Sequence, residues 1–433
     1  MLTRLLALVI CVAFLPMDAS ASPKIEYWRL KNGARVYFVE SHEIPMVQLS
    51  VAFDAGSARD PENRFGLALL ANHLLKEGTA SKNTNQVADT FEGLGAEFST
   101  DIDRDMATIS LRSLSDRGKL LPALTLLAEM IRNPVYPEKG LNRERQRLLV
   151  SLQEKKQSPE QLASDEFFRL VYGQHPYAHS PDGAEPDLKK ITRKDLLEFH
   201  RQHYVGSNAV VAIIGDLKKR EAKSLVKLLI GNLQRGSPLP LLPEVKEAHA
   251  GQQVKLSFPS KQTHILVGQV GMHRKDPDYF KLYLGNYILG GGGLVSRLSE
   301  QVREKHGLSY SVYSYFWPMY RRGPFIMGLQ TANKHQQKAL AMMNDVLKEF
   351  IEKGPTAEEL REAKTHITGG FALRVDTNKK IVGYLAVIGY YQLPLTYLDE
   401  FPARIEKITA AEIRDAFSRR LHPEKMTTVI VGG

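Results

Sequence analysis

An internal repeat constrains the fold of this chain more than any other feature of its sequence. The tripeptide Lys-Ile-Thr occurs at 190–192 and at 407–409, an offset of 217 residues, and each copy precedes an amphipathic helical pattern and then an apolar strand. The dipeptide Asp-Pro occurs at 60–61 and at 276–277, an offset of 216 residues, each time before a largely apolar helical pattern. A consistent offset at both ends predicts two copies of one unit.

Proline and glycine mark the boundary between the two copies. Residues 235–252 contain Gly-Ser-Pro-Leu-Pro and Leu-Leu-Pro, followed by Glu-Ala-His-Ala-Gly, and this composition is typical of linkers. We therefore predict two homologous domains, 22–234 and 253–433, joined by this linker. In a chain of 433 residues, each copy is long enough to bury a core of its own.

Each copy combines strands and helices in the same order. Two strands with the alternation of half-buried strands come first, a helix follows, and another strand closes the copy. The predicted strands are 34–39, 47–53 and 209–215 in the first copy and 254–258, 263–270 and 427–432 in the second, and the predicted first helices are 65–76 and 279–289. This order is not a regular βαβ alternation. It predicts the α+β class, in which each domain is a mixed or antiparallel β-sheet packed with α-helices.

The N-terminal residues 1–21 have the pattern of a secretory signal peptide. Arg4 precedes an apolar stretch from Leu5 to Pro16, which at 12 residues is too short to span a bilayer, and Ala-Ser-Ala supplies a cleavage site after Ala21. The only cysteine, Cys11, lies in this segment. The mature chain would therefore have no disulfide and no sulfur-bound zinc. We expect export, to the periplasm of a Gram-negative bacterium.

The charge and hydropathy of the chain exclude two classes of protein. The net charge is +10, but the basic residues are dispersed among acidic ones, so nucleic-acid binding is not expected. The densest basic stretch, 218–227, has the pattern of one exposed helix face. The mean hydropathy is −0.26 and the only long apolar run is the N-terminal one, so no membrane span is expected after signal cleavage.

The first predicted helix carries a single histidine where a metal motif would need two. Leu69 and His73 lie one turn apart on one helix face, but Leu69 has no lone pair and Asn72 cannot accept a proton at neutral pH. One imidazole does not hold catalytic zinc, which usually needs three protein ligands. The remaining paired histidines also lack a carboxylate at metal-binding spacing: His175, His179, His200 and His203.

The second copy contains a glycine run and an Arg–Tyr pair. The run consists of Gly290, Gly291, Gly292 and Gly293, and it matches neither a phosphate loop nor a dinucleotide fingerprint. It either allows another chain to approach the backbone closely or simply ends the helix. Arg303 and Tyr310 could both donate hydrogen bonds to a carbonyl and steady a developing oxyanion, although ordinary surface residues would have the same spacing.

Several of these segments resemble the M16 family of zinc peptidases, the insulinase and mitochondrial processing peptidase group. The similarity covers nearly the whole mature chain, and the most specific part of it runs from Ser296 through Arg303 to Tyr313. The other matching segments are the glycine run, Gly66-Leu67-Ala68, Gly78-Thr79, Phe98-Ser99-Thr100, Asp105, Asn142-Arg143-Glu144-Arg145 and His175-Pro176-Tyr177. The resemblance implies an M16 peptidase-like (LuxS-metallohydrolase-like) fold, with an N-terminal-type domain at 22–234 and a C-terminal-type domain at 253–433.

The resemblance also implies that the zinc site of this chain is degenerate. The inverted motif of the family, His-x-x-Glu-His, falls on residues 69–73, where the chain has Leu69, Asn72 and His73. The third zinc ligand of the family aligns with Ser151, and Glu144 matches a supporting acidic residue. Two of three ligands and the general base are thus missing, so no metal is expected in this chain.

The second copy retains what the resemblance associates with substrate binding. Family members use an Arg and a Tyr seven residues apart near the zinc, and Arg303 and Tyr310 match that spacing. In heterodimeric members one chain carries zinc and its partner carries this pair, and the glycine-rich segment, here Gly290–Gly293, is linked to substrate handling. We therefore expect the zinc-less subunit of a metalloendopeptidase that acts on unfolded peptides or small proteins. The alternatives are a non-proteolytic scaffold of the cell envelope and an enzyme that holds zinc through His73 and other groups.

Overall fold

A computed structural model describes residues 23–247 and 250–433, so the predicted signal peptide and Cys11 lie outside the described residues. The strands are β1 Glu26–Arg29, β2 Arg35–Glu40, β3 Met46–Phe53, β4 Glu97–Ile102, β5 Ala107–Leu114, β6 Ala209–Gly215, β7 Gln253–Leu256, β8 Gln262–Val270, β9 Ser311–Phe316, β10 Pro324–Ala332 and β11 Thr427–Val431. The helices are α1 Leu67–His73, α2 Thr84–Leu94, α3 Arg117–Arg132, α4 Glu138–Lys155, α5 Pro159–Tyr172, α6 Glu185–Leu188, α7 Arg193–His203, α8 Lys219–Ile230, α9 Tyr279–Asn286, α10 Gln336–Lys353, α11 Ala357–Gly369, α12 Asn378–Tyr391, α13 Tyr397–Lys407 and α14 Ala410–Arg420. None of the described helices is long and apolar enough to cross a membrane.

The two halves form two sheets with the same strand order. The first sheet runs β1-β2-β6-β3-β5-β4, and the second runs β7-β11-β8-β10-β9. In each sheet the closing strand pairs in parallel with one neighbour, β6 with β2 and β11 with β7, and all other pairs are antiparallel. Within the described part of the chain, strand β1 has no counterpart in the second sheet. The mixed sheets packed with helices confirm the predicted α+β class.

The repeated tripeptide forms the same local structure in both halves. The side chains of Thr192 and Thr409 accept hydrogen bonds from the backbone of Asp195 and Glu412, and these carboxylates accept bonds from the backbone of the two threonines in return. Each pair is a capping box, which satisfies donors that a helix start would otherwise leave free. The tripeptide therefore repeats in the sequence because α7 in the first half and α14 in the second half begin with the same capping box.

Each half sends one helix to the sheet of the other half. Helix α5 from the first half packs against β8 and β11, and helix α12 from the second half packs against β6 and β3. Both contacts need a glycine. A Cβ at Gly268 would lie 2.9 Å from the Phe167 ring, and a Cβ at Gly389 would lie 2.4 Å from Val210. The helices therefore lie too close to the sheets for any larger residue, and the halves share their cores.

The predicted linker packs against both halves. Its described residues, 235–247 and 250–252, contain neither helix nor strand. The Arg59 side chain of the first half donates to the Pro240 carbonyl, 2.7 Å away, and Arg321 of the second half donates to the Leu242 carbonyl at the same distance. The segment therefore acts as a strap between the halves and not as a free tether.

Asp105 joins the two halves at their centre. Its buried carboxylate accepts hydrogen bonds from the Tyr177 hydroxyl, from the Tyr391 hydroxyl at 2.7 Å and from the Tyr320 backbone N–H at 2.7 Å. Its own carbonyl accepts a bond from the Tyr390 hydroxyl, 2.7 Å away. One residue of the first half thereby satisfies three donors from the second, which makes it the polar centre of the contact between halves.

Replacing Asp105 with alanine is expected to lower the free energy of unfolding by about 3–5 kcal/mol. The change would leave the buried hydroxyls of Tyr177 and Tyr391 and one backbone N–H without acceptors, and each unsatisfied group costs about 1–3 kcal/mol. Chemical denaturation followed by circular dichroism would measure the loss. Asp105→Asn keeps an acceptor oxygen and should lose less than half as much. Equal losses for both variants would contradict this role of the carboxylate.

The neighbouring carboxyl group of Asp103 predicts a pH dependence of stability. Burial, together with the charge of Asp105, raises the pKa of Asp103 from 3.8 to about 7. The folded chain therefore binds a proton that the unfolded chain has released between about pH 4 and pH 7, so this group makes stability fall as the pH rises through that window.

Asp103→Asn should remove that contribution. Its amide oxygen can still accept the bonds that Asp103 Oδ1 now accepts from the backbone of Asp105 and Met106, at 2.7 and 2.8 Å. Relative to the parent chain, the variant should gain about 2.5 kcal/mol of stability between pH 5 and pH 8. Denaturation curves at both pH values measure this gain, and a constant difference between the two chains would contradict it.

Candidate functional site

Helix α1 carries the positions at which the sequence predicted a degenerate zinc site. The carboxylate of Asp60 begins this helix, because it accepts hydrogen bonds from the backbone N–H groups of Gly66 and Ala68, each 2.7 Å away. Leu69 faces the core of the first half and is only 4% exposed. An apolar side chain in that position contributes packing energy and no ligand atom.

Asn72 is engaged in structural hydrogen bonds. It is fully buried, and its amide nitrogen donates to the Asp101 carbonyl on strand β4, 2.7 Å away. Its amide oxygen accepts a weaker bond from the Tyr204 hydroxyl at 3.4 Å. The side chain therefore ties α1 to the edge of the first sheet. It cannot serve as a general base, because an amide is not protonated at neutral pH.

His73, Glu144 and Arg147 form a compact charged cluster. The Nδ1 atom of His73 lies 3.1 Å from Glu144 Oε1, and the Arg147 guanidinium donates to the same oxygen at 2.5 Å. Burial alone would raise the pKa of Glu144, but the hydrogen bonds from His73 and Arg147 outweigh it and lower this pKa to about 2. The carboxylate is thus ionised at any physiological pH.

The residues at this site do not fit zinc. Ser151 lies on helix α4 with Glu144 and Arg147, at a spacing that places all three on one helix face. The guanidinium of Arg147 puts a positive charge beside the Glu144 carboxylate. Only His73 among the three expected ligand positions offers a donor atom that zinc prefers. Within residues 23–247 and 250–433, no group of three His, Cys, Asp or Glu side chains could hold a metal ion.

The other histidines make structural contacts. His200 Nε2 lies 2.9 Å from the Ile131 carbonyl, and burial lowers the pKa of His200 to about 4. His179 Nε2 lies 2.8 Å from the Ser57 carbonyl, His175 Nε2 lies 3.0 Å from the Pro243 carbonyl, and His203 Nδ1 lies 3.2 Å from the Asp54 carbonyl. Each ring is oriented by a backbone carbonyl of a distant segment, which explains these four residues as packing elements.

Arg303 and Tyr310 come together on the surface of the second half. Arg303 lies in a π-helical segment, Ser299–Lys305, and Tyr310 directly precedes the edge strand β9. The guanidinium carbon lies 5.2 Å from the centre of the tyrosine ring, within the range of a cation–π contact. Tyr310 is 84% exposed, which is unusual for so large an aromatic residue. The structure thus brings together two residues that the sequence singled out, and it leaves the phenol free to meet another molecule.

The glycine run ends helix α9. The helix continues as a π-helical turn, Tyr287–Gly291, and π-turns are frequent at functional sites. The backbone N–H of Gly292 donates to the Tyr287 carbonyl at 2.8 Å and closes this turn. Gly293 follows in a left-handed conformation with φ of 63°, which favours glycine. The helix-terminator interpretation is therefore correct for this run, and the approach of another chain stays a prediction.

The four glycines differ in how far they can be reached from outside. Gly290 is buried, and a Cβ there would lie 2.4 Å from Ser314 Oγ of strand β9, so packing within the chain requires this glycine. Gly291 and Gly293 are exposed, and Gly292 is half-buried. A Cβ at Gly292 would lie 2.8 Å from the Tyr287 carbonyl oxygen, so the turn itself also requires a glycine there. Packing and the turn thus account for Gly290 and Gly292, and the predicted contact of the glycine run with substrate stays a prediction.

Sequence reasoning missed Arg147 and the role of Asp105. Arg147 stands three residues after Glu144 on one helix, so the spacing of an i,i+3 ion pair could have indicated it. Asp105 was noted only as part of a matching segment. Its role as a contact between halves depends on tyrosines about 285 residues away in the chain, which no local pattern could indicate.

Comparison with known families agrees with this geometry. Residues 35–181 match the model described as insulinase (peptidase family M16), and residues 190–367 match the model described as peptidase M16 inactive domain. Among curated proteins, a non-peptidase homolog, YmxG of Helicobacter pylori, is 27% identical over 423 residues and matches 96% of each chain. An uncharacterized zinc protease of Rickettsia bellii is 24% identical and matches 93% of this chain and 96% of its own.

Solved structures share this fold over nearly the whole described chain. A crystal structure described as a peptidase M16 inactive domain from Pseudomonas fluorescens is 40% identical, covers 94% of this chain and 97% of its own, and superposes with a TM-score of 0.91. A protease from Helicobacter pylori is 20% identical, covers 95% of this chain and 100% of its own, and has a TM-score of 0.86, which shows the shared fold alone. The chain therefore belongs to peptidase family M16, and the two-domain fold that the sequence predicted is that of this family.

Proposed function

We propose that this chain is the zinc-less subunit of a two-chain M16-type metalloendopeptidase. The observation that carries the proposal is the contrast between the two halves. In the first half, Leu69 and Asn72 occupy positions of the zinc motif and are built into the core. In the second half, Arg303 and Tyr310 lie together on the surface, and Tyr310 is 84% exposed. A partner chain with the motif His-x-x-Glu-His would supply the zinc and the general base.

Arg303 and Tyr310 would bind the peptide carbonyl that the partner hydrolyses. A guanidinium and a phenol are both hydrogen-bond donors, and donors aimed at a carbonyl oxygen stabilise negative charge as it develops there. The cation–π contact between the two side chains keeps both donors at one place before substrate arrives. Preorganisation of this kind lowers the cost of ordering side chains during the reaction.

The accessible part of the glycine run, Gly291–Gly293, is proposed to handle the substrate backbone. The run is followed by Leu294 and Val295, which are 57% and 76% exposed. Exposed apolar residues next to backbone without side chains suit an unfolded peptide, which presents both main chain and apolar side chains. Substrate would therefore contact these glycines and the adjacent apolar pair before its carbonyl reaches Arg303 and Tyr310.

The compartment of the complex is part of the proposal. The pattern of residues 1–21 supports export, with the periplasm of a Gram-negative bacterium as the destination. Fractionation of cells that express the chain with a C-terminal tag would test this. A mature N-terminus at Ser22 in the periplasmic fraction supports export, and an intact N-terminus in the cytosol contradicts it.

Affinity purification of the tagged chain from its native extract tests the two-chain enzyme. The expected result is a partner of similar size, in equal amount, that carries His-x-x-Glu-His, together with peptidase activity that requires both chains. The partner alone should be much less active on an unfolded peptide than the complex. Recovery of this chain alone, or full activity of the partner by itself, would contradict the proposal.

A non-proteolytic scaffold of the cell envelope is the second candidate function. It is favoured by one observation, the name of the Helicobacter pylori relative, which calls that protein a non-peptidase homolog. The same purification separates the two candidates. A scaffold would be recovered with envelope proteins that lack the zinc motif, and changes at Tyr310 would then have no effect on proteolysis in the extract.

A further inference from the structure

A basic cleft lies between the second half and the linker, and its lining includes neither Arg303 nor Tyr310. It has a volume of about 320 Å³ and is lined by four cationic side chains and one carboxylate. Its walls come from three segments. Arg274 and Lys275 precede helix α9, Arg321 belongs to the loop between β9 and β10, and Tyr391 ends helix α12. The backbone N–H of Arg274 donates to the Met319 carbonyl at 2.9 Å and fixes the first two segments together.

Two of the four cations in this cleft are already neutralised by acidic residues of the linker. Arg321 forms an ion pair with Glu244, and Arg322 forms one with Glu247. Arg274 and Lys275 take part in no ion pair among the described residues. The positive charge that remains in the cleft therefore belongs to these two residues.

The Arg274 side chain is half-buried, and one edge of its guanidinium makes no hydrogen bond to the described residues. One terminal nitrogen donates to the Tyr279 hydroxyl at 3.3 Å, and the guanidinium carbon lies 5.2 Å from the centre of the Tyr391 ring. The Nε atom is buried and has no hydrogen-bond partner among the described residues. The N–H groups of Nε and the second terminal nitrogen form the edge by which arginine binds a carboxylate or phosphate through two parallel bonds.

The acidic residues nearest to Arg274 along the chain are bound elsewhere. Asp276 forms an ion pair with Arg420 at 2.6 Å. Asp278 accepts bonds from Arg419 at 3.0 Å and from Lys281 at 3.2 Å. Neither carboxylate is therefore available to turn toward Arg274. Because a buried N–H of a charged group is unfavourable unless an acceptor pairs with it, the Nε edge of Arg274 favours an oxyanion as its partner.

We propose that this cleft binds a small oxyanion, a carboxylate or a phosphate, through the free edge of Arg274 with Lys275 as a second cation. The volume of the cleft admits such a group with part of the molecule that carries it. The ligand would contact the second half beside the linker, because Tyr391 and Arg321 belong to the second half and Arg321 donates to the Leu242 carbonyl of the linker. Binding would therefore stabilise the folded chain, independently of any peptidase partner.

Thermal unfolding with inorganic phosphate tests the site, with sodium chloride added to keep the ionic strength constant. The midpoint of unfolding should rise with phosphate concentration and saturate. Arg274→Gln should raise the half-saturating concentration at least about tenfold, and Lys275→Gln about two- to fivefold. Arg361→Gln changes an exposed arginine of helix α11 and should leave it unchanged. An equal response of the parent chain and Arg274→Gln would overturn the proposal.

A second arm distinguishes the sources of the oxyanion. An acetylated tripeptide with a free C-terminal carboxylate is compared with the same peptide as an amide. Stabilisation by the free acid alone identifies a peptide carboxylate, and stabilisation by phosphate alone identifies a phosphate. If Arg274→Gln does not fold, Lys275→Gln tests the site instead. Lys275 is exposed, so its replacement should not prevent folding. An unchanged half-saturation in Lys275→Gln, or no effect of any oxyanion beyond chloride, overturns the site.

Discussion

Replacing Tyr310 with phenylalanine is expected to lower the turnover of the reconstituted two-chain complex by about 10²–10³-fold, or about 3–4 kcal/mol of transition-state stabilisation. The change removes only the phenolic oxygen. The aromatic ring remains, so its contact with Arg303, whose guanidinium carbon lies 5.2 Å from the ring centre, is retained. The loss should therefore appear in kcat and leave the assembly of the two chains unchanged. Steady-state kinetics on a fluorogenic peptide and analytical ultracentrifugation would measure the two quantities.

A matched control is available on the first sheet. Tyr27 is also an exposed tyrosine, at 43%, and lies on strand β1 in the other half of the chain. Tyr27→Phe removes the same atom from the surface and should leave turnover within about twofold of the parent complex. If Tyr310→Phe behaved like Tyr27→Phe, Tyr310 would have no role in hydrolysis and the scaffold function would be the better interpretation.

Restoring two ligands should convert this chain into one that binds zinc. Leu69→His would place an imidazole one turn from His73, and Ser151→Glu would add a carboxylate on helix α4. The Nδ1 atom of His73 already lies 3.1 Å from Glu144, an arrangement that orients a histidine for metal binding through Nε2. We expect one zinc per chain and an affinity at least about a thousandfold above that of the parent, measured by elemental analysis and chelator competition.

Arg147 should limit the affinity of that variant. Its guanidinium donates to Glu144, whose carboxylate also lies beside His73, so its positive charge would oppose a divalent cation bound by His73. Adding Arg147→Ala should tighten zinc binding about tenfold. Two unit charges about 4 Å apart in water interact by about 1 kcal/mol, and a tenfold change in affinity corresponds to about 1.4 kcal/mol. Ser151→Glu alone leaves two ligands and serves as the control. A folded double variant with no more zinc than this control would show that more than the missing ligands prevents binding.

Local patterns in the sequence were sufficient to predict the secondary structure around both candidate sites. The predicted helices at 65–76 and 279–289 correspond to α1 and α9 with their short 3₁₀ and π extensions, and the closing strands correspond to β6 and β11. These predictions succeed because capping boxes, apolar periodicity and strand alternation depend only on residues close together in the sequence. The boundaries differ by one or two residues, as helix ends commonly do.

The amino-acid sequence by itself determined the duplication, the fold class, the loss of two zinc ligands and the presence of an Arg–Tyr pair, because each depends on the identity or the local spacing of residues. Only the tertiary structure decided which partners those residues have. It exchanged α5 and α12 between the halves, made Asp105 the polar centre of their contact, set Arg147 beside Glu144, and left the edge of Arg274 free in a basic cleft. The physical reason is that hydrogen bonds and ion pairs act over about 3–4 Å in space, while their partners lie up to 354 residues apart in the chain.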